Sequence, residues 1–351
     1  MMRRLTWQGR EINMLPIESD VALSRRIALQ VGLGFGAGML PGVSAAQGAW
    51  PTRAVTLVVG YPPGGQTDFA GRILTAGMQT SLGQGVVIDN KPGANGNIAT
   101  DFIMKAPPDG YKLLVGNGSN MVLNPHTYRN TAMADPLKLV PIGLLLTSSL
   151  MLVVPSSLPV KDLAEFITWV KAQDKAGNGI DYASGGPGSL VQTAMELFRE
   201  RIGKPKMNHV PYKGSSPAMT DLIAGRVNAM FDASSVVAPF LKSGQLKALM
   251  STGAKRVPAF PDIPTATEKG IKDFQIISFI GLYGPPGLNA DIVKKVNTAM
   301  NSALKDPNVQ KTIAERGDDA GGGTPEQLAE LTRHYYKLLG EVVRANDIRA
   351  E

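Results

Sequence analysis

The chain has 351 residues, 43% of them hydrophobic and 19% charged, and no cysteine. This is the composition of a globular protein long enough for two domains; it excludes disulfides, thiolate metal sites, cysteine nucleophiles and a lipid anchor on cysteine. The formal charge of +7 is scattered, with no Lys/Arg run longer than a pair and no interleaved aromatics, which argues against a nucleic-acid-binding surface.

The first recognisable segment is an address rather than a fold. Arg25-Arg26 precede an apolar stretch from Ile27 to Leu40, and small residues follow around Val43-Ser44-Ala45. This order predicts a signal peptide over residues 1–49, cleaved near residues 45–49, and hence export to the periplasm. The apolar stretch is shorter than the roughly 20 residues that span a bilayer. An arginine pair before a weakly hydrophobic, Gly-rich core matches a twin-arginine signal, with a general secretion signal as the alternative.

From Trp50 onward, short apolar runs alternate with amphipathic ones. Val55–Val59 reads as a buried strand, Gly60–Thr67 as a turn, and Asp68 onward as a helix with Phe69, Ile73, Leu74, Met78 and Leu82 at helical spacing. Strand Val86–Ile88, loop Asn90–Gly96, a short helix through Ile98, Phe102 and Ile103, and strand Lys112–Val115 follow. Two long apolar runs, Pro141–Pro155 and Phe274–Tyr283, flank an internal α/β series. Its strands are expected over Ile180–Ala183, Asn208–Tyr212, Val227–Phe231 and Leu246–Met250, and its helices over Lys161–Gln173, Ser189–Arg201 and Ala218–Ala224. Three helices close the chain. Strands separated by helices imply a parallel sheet with right-handed crossovers. The two long runs predict two chain crossings between lobes: residues 50–150 and 276–351 as lobe 1, residues 151–275 as lobe 2. A ligand cleft is expected between them at the carboxyl ends of the strands.

Three loops carry the candidate chemistry. In Tyr61-Pro62-Pro63-Gly64-Gly65-Gln66-Thr67-Asp68, the glycines permit a sharp turn and the helix start offers free N–H groups that favour an anion. Alternatively, Thr67 or Asp68 caps the helix and the glycines only turn the chain. Asn90–Asn97 is a rigid loop that could wall the cleft. Ala183-Ser184-Gly185-Gly186-Pro187-Gly188-Ser189 again sets hydroxyls and N–H groups at a helix start, for a carboxylate or simply for capping. The histidines are His126, His209 and His334, dispersed and outside any metal motif, so no metal and no cofactor is expected. His209, in a strand-like run, is read as packed or cleft-lining.

The order of several short motifs is more specific than any one of them. Trp50-Pro51-Thr52-Arg53, Pro62-Pro63-Gly64-Gly65-x-x-Asp68, Asn90-Lys91-Pro92-Gly93-Ala94-x-Gly96, Pro108-Asp109-Gly110-Tyr111, Tyr182-Ala183-Ser184-Gly185-x-x-Gly188-Ser189, Val210-Pro211-Tyr212-Lys213-Gly214 and Asp262-Ile263-Pro264-Thr265 together resemble the tripartite tricarboxylate transporter receptor (Bug) family. The resemblance implies a two-lobed α/β fold of the type II periplasmic-binding-protein kind that closes on an organic acid. By the same likeness the ligand is held by Tyr61, Pro63, Gly64, Gly65, Thr67, Asp68, Ser184, Gly188, Ser189, Gln192 and Asp232. The partners implied are integral-membrane transporter subunits or a sensor kinase, and the receptor is expected to be a monomer. Two departures stand out: Gly60-Tyr61 where the family often has Pro-Phe, and Gln192 where His commonly follows Gly-Ser. The rival from another class is an exported hydrolase using a serine of the Ser184–Ser189 loop, for which no base is nominated by the sequence.

The signal reading has a direct test. The mature chain is expected to begin between Ala46 and Trp50, and replacing Arg25 and Arg26 by Lys should block export by the twin-arginine route. N-terminal sequencing of the exported protein checks this; an unprocessed chain retained in the cytosol would contradict it.

Overall fold

The computed structural model describes residues 4–7, 10–13, 50–128, 135–272, 274–345 and 347–350. Arg25-Arg26 and Val43-Ser44-Ala45, on which the signal reading rests, lie outside the described residues. Strands β1 (Arg4–Trp7) and β2 (Arg10–Asn13) pair antiparallel.

The main body begins with β3 (Val55–Val59), α1 (Gln66–Leu82), β4 (Val86–Asn90), α2 (Asn97–Met104), β5 (Lys112–Asn117) and the single turn α3 (Asn124–Thr127). Helix α1 buries Ala70, Leu74, Met78 and Leu82, one face at four-residue spacing. It stops at Gly83, whose φ of 69° lets its N–H return to the Gln79 carbonyl. Then comes β6 (Val140–Pro155), sixteen residues long, followed by α4 (Leu163–Lys175), β7 (Ile180–Ser184), α5 (Leu190–Arg201), β8 (Met207–Pro211) and α6 (Ser215–Ile223). The chain ends with β9 (Ala229–Ala233), α7 (Ser234–Lys242), β10 (Leu246–Ser251), β11 (Ile277–Gly284), α8 (Ala290–Leu304), α9 (Pro307–Glu315), β12 (Asp318–Gly322) and α10 (Pro325–Ala345).

These strands join one mixed sheet in the order β4-β3-β5-β11-β6-β9-β7-β8, with β10 and β12 also on β6. The expectation of a parallel sheet holds only in part. β4, β3 and β5 run parallel to one another, as do β8, β7 and β9. β11, β12, β9 and β10 all pair antiparallel with β6. The reason is connectivity: β6 and β11 are long returns that lie beside strands already laid down, with no crossover helix to force parallel pairing. Up to Ser149, β6 bonds to β11 and β12; from Leu150 onward it bonds to β9 and β10.

Each end of the sheet has its own core. On one side α1 and α8 pack so closely that a Cβ on Gly77 would lie 2.7 Å from that of Ala303. On the other, Phe198 sits among Phe166, Phe231 and Phe274, with ring centroids 6.5, 6.1 and 6.4 Å away. Burial of such a side chain contributes about 1.5–3 kcal/mol.

Besides β1, β2 and the single turn α3, two elements were not expected from sequence. α7 begins immediately after β9, without a loop, so no turn signal marks its start. β12 has the sequence Asp-Asp-Ala-Gly-Gly, which carries little strand propensity. Its glycine at 321 is required by proximity, since a Cβ there would collide with the Leu144 carbonyl.

Candidate functional site

At the carboxyl ends of β3, β5 and β9 the chain forms a cavity. Its walls are the starts of α1 and α5, the turn after β5, the Gly214-Ser215 turn before α6, and the end of β9. None of the described lining residues is Lys, Arg or His.

The first wall follows from the Tyr61–Asp68 loop. Gly65 is the N-cap of α1 and no side chain caps this helix, so its first N–H groups are left for another acceptor. Thr67 lines the cavity and its Oγ1 accepts from Asn117 Nδ2 at 2.9 Å. The Tyr61 hydroxyl lies 3.0 Å from the Asn95 carbonyl and 3.1 Å from Asn117 Oδ1, and burial pushes its pKa up, so it stays a neutral donor. Gln66 is pinned by Ser278, which donates to its Oε1 at 2.7 Å. Its Nε2 is buried without a hydrogen bond of ordinary geometry and lies close enough to the Asp318 carboxyl to favour that group's ionised form.

Asp68 has a structural role in this loop. It does not line the cavity. Its carboxylate accepts from Gly64 N–H at 3.0 Å, Arg72 Nε at 2.9 Å and Asn90 Nδ2 at 2.9 Å. Asn90 in turn donates to the Tyr61 carbonyl at 3.0 Å. Burial alone would raise the Asp68 pKa, but these hydrogen bonds outweigh it and hold the carboxyl below its usual range. Asp68 thus shapes the loop that carries Tyr61 and Gly65. Pro63 and Gly64 belong to that loop and also stay off the cavity.

The second wall is the start of α5. Ser189 is its N-cap, buried and cavity-lining, with Oγ accepting from Gln192 N–H at a long 3.4 Å. Ser184, Gly188 and Gln192, expected at the ligand, lie behind this wall instead. Gln192 Oε1 accepts from the Gly188 N–H at 2.5 Å, which turns its Nε2 toward His209 Nδ1 at 3.2 Å. Nδ1 is therefore the acceptor and the ring proton sits on Nε2. That nitrogen is 2.6 Å from Ser184 Oγ, which itself donates to the Gly186 carbonyl at 3.0 Å. A histidine beside Ser184 was not foreseen. Yet its Nε2–H donates to the serine, so it has no lone pair with which to take the serine proton. Burial holds its pKa down at about 4, and Ser184 is fully buried.

Asp232 forms the floor. It lies within β9, opposite Met151 of β6, and is 3% exposed. Oδ1 accepts from the Ala233 N–H at 2.8 Å, whereas Oδ2 is buried without a hydrogen bond of ordinary geometry, the Ser215 hydroxyl being the donor near the carboxyl. Burial raises its pKa to about 6, against the stabilising effect of Ser215 and the Ala233 N–H, and the nearby Asp318 raises it further.

The walls touch each other. Ser119 Oγ accepts from the Leu190 N–H at 3.1 Å, and Ser216 Oγ donates to the Pro63 carbonyl at 3.0 Å. Of the residues expected at the ligand, Tyr61, Gly65, Thr67, Ser189 and Asp232 meet around the cavity. Gln66, Asn95, Asn117, Ser119 and Ser215 line it as well. The Asn95 loop had been read as a cleft wall. Gly116-Asn117-Gly118-Ser119, a turn cluster at the carboxyl end of a strand, carried a signal that went unused.

Comparison with known proteins follows the same geometry. Residues 70–348 match the model of the tripartite tricarboxylate transporter family receptor. The chain belongs to this family. Among solved structures, MatC from Rhodopseudomonas palustris with bound malate is 32% identical, with a TM-score of 0.79 over 84% of this chain and 100% of that one. The periplasmic binding protein BugD is 30% identical, with a TM-score of 0.81 over 86% of this chain and 100% of its own. An R. palustris protein with adipate is 31% identical, with a TM-score of 0.81 over 86% of this receptor and 99% of that chain. The receptor therefore has the two-lobed α/β periplasmic-binding-protein fold that the resemblance implied, and no helix among its described residues is long and apolar enough to cross a membrane.

The Asp68 assignment predicts a stability effect. Hydrogen bonds to a charged group contribute about 1.5–3 kcal/mol each, so Asp68→Asn should destabilise the receptor by about 2–4 kcal/mol near neutral pH. Because the folded pKa is depressed, this advantage is complete above the ordinary carboxylate pKa of about 3.9 and is lost as pH falls through the folded value. Urea denaturation of both proteins near pH 7 and near pH 3 checks it: the gap should narrow in acid, and equal stability at pH 7 would contradict the assignment.

Proposed function

We propose that this protein is a periplasmic receptor for a small dicarboxylate, which it delivers to the integral-membrane subunits of a tripartite transporter or presents to a sensor kinase. The observation that carries this reading is the convergence of two helix starts, α1 and α5, on one cavity that has no cationic side chain. Backbone N–H groups and the Ser189 hydroxyl are donors suited to carboxylate oxygens. The bound malate and adipate of the two R. palustris relatives support the same ligand class.

Lobe 1 comprises residues 50–150 and 276–351 and lobe 2 residues 151–275, and the receptor acts as a monomer that opens and closes about residues 147–155 and 275–283. The change of β6 partners at Ser149 and Leu150 supports a hinge there. The Leu190–Ser119 and Ser216–Pro63 bonds are contacts that opening would break. Capture rather than hydrolysis is supported by the inverted proton arrangement at Ser184 and His209 and by the burial of that serine.

Calorimetric titration with malate and adipate tests the site. Ser189→Ala should weaken binding roughly tenfold to a hundredfold, the loss of one hydrogen bond to a charged group. Ser189→Asp should do far worse, because it sets a negative charge against the ligand while still capping α5. Unchanged affinity of a folded Ser189→Asp protein would place the ligand elsewhere. Small-angle X-ray scattering tests the motion: saturating ligand should give a more compact particle, and an unchanged profile at confirmed occupancy would contradict closure.

A further inference from the structure

The cavity holds one ionisable carboxyl, and its free oxygen faces no positive charge. Asp232 is 3% exposed, lines the floor, and leaves Oδ2 without a hydrogen bond of ordinary geometry. The groups around it are polar but uncharged: Ser215 at the start of α6, Ser189 at the start of α5, and Gln66 at the start of α1. Tyr61 is the other titratable group among the described lining residues, and it stays neutral. The charged group that acts on Asp232 is a second buried carboxyl, Asp318 of β12, of the same sign. Asp318 accepts from Ser234 Oγ at 3.1 Å and is favoured in its ionised form by Ser148, Ser235 and Gln66 as well, yet burial raises its pKa too, to about 6. His209 lies behind Ser184 and is neutral.

A dicarboxylate entering this space would meet an ionised Asp232 with no cationic side chain among the described lining residues to offset the repulsion. Burying like charges together in a site that excludes water costs far more than moving one proton. We infer that Asp232 binds the ligand in its protonated form, its Oδ2 donating a hydrogen bond to a ligand carboxylate, so that capture takes up one proton from solvent. The proton comes from the buffer and no other bond is made or broken. The cost is small because burial has already brought the Asp232 pKa to about 6. The inference rests on the dicarboxylate reading above and assigns this residue a role that sequence and resemblance did not.

The sign follows from linkage. Below about pH 6 Asp232 is already protonated in the free receptor, and affinity gains nothing from further acid. Above it, affinity should fall about tenfold per pH unit, to roughly thirtyfold below its maximum at about pH 7.5. Asn at this position donates from the same place without titrating, so Asp232→Asn should bind malate or adipate about thirtyfold more tightly than wild type at about pH 7.5 and converge with it in acid. Comparing the two proteins removes the ligand's own titration. Calorimetry in buffers of different ionisation enthalpy should show uptake approaching one proton by wild type and none at this site by the variant. Wild-type binding without proton uptake overturns the inference even if the variant fails to fold. So does a variant that melts like wild type but no longer binds, since the carboxylate charge would then be what the ligand needs, as for an ammonium group. If neither protein binds any dicarboxylate at any pH, the receptor reading itself fails and this inference falls with it.

Discussion

An anion that leaves water must find donors to replace its hydration, and the effective penalty for a buried ion is several kcal/mol. A cationic side chain is one solution. The proposed site offers another: donors fixed by the backbone, each weak alone but oriented before a ligand arrives. Helix starts provide such donors only if they point at the same volume, and that requirement explains much of the architecture. β6 runs through both ends of the sheet, bonded first to β11 and β12 and then to β9 and β10. The start of α1 is set by one end of the sheet and the start of α5 by the other.

Around these starts lies a framework whose polar atoms are largely spent on one another. Asn117 links Thr67 to the turn at Ser119 and Asn120, Asn124 links Asn95 to Asn97, and Gln192 with His209 supports the Ser184–Gly188 turn. Side chains bonded in this way have little freedom, so the donors they position lose little entropy on binding. The exceptions are informative. Gln66 Nε2 and Asp232 Oδ2 are buried beside the same cavity without hydrogen bonds of ordinary geometry. Buried polar groups without such bonds are rare enough to need a reason; a ligand that supplies an acceptor for the amide and shares a proton with the carboxyl provides one.

The fold was legible in the sequence to the extent that periodicity reports burial. Val55–Val59, the helix through Leu74 and Met78, and the Pro141–Pro155 run all became the expected elements. Pairing direction was not legible, because apolar runs buried on both faces look alike whether parallel or antiparallel. β12 was invisible because glycines there serve close approach to Leu144 rather than a turn. In the site, the sequence shows which loops begin helices beside the cavity, but not the partner of each polar atom. Asp68 and Ser184 have the right chemistry at the right place in the chain, yet four residues on, Arg72 reaches back to claim the carboxylate, and His209 from a neighbouring strand claims the hydroxyl. The Arg72 partner is an i,i+4 pair on one helix, which spacing does encode; the His209 partner is set by pairing between strands, which it does not.

The central claim is that the ligand carboxylate is held by helix-start N–H groups and neutral side chains. The most direct measurement is a crystal structure of the mature receptor with bound malate. The account predicts ligand oxygens about 2.7–3.2 Å from backbone N–H groups at the starts of α1 and α5 and close to Asp232 Oδ2. A Lys or Arg side chain bonded to the ligand carboxylate, or malate seated outside this cavity, would contradict it.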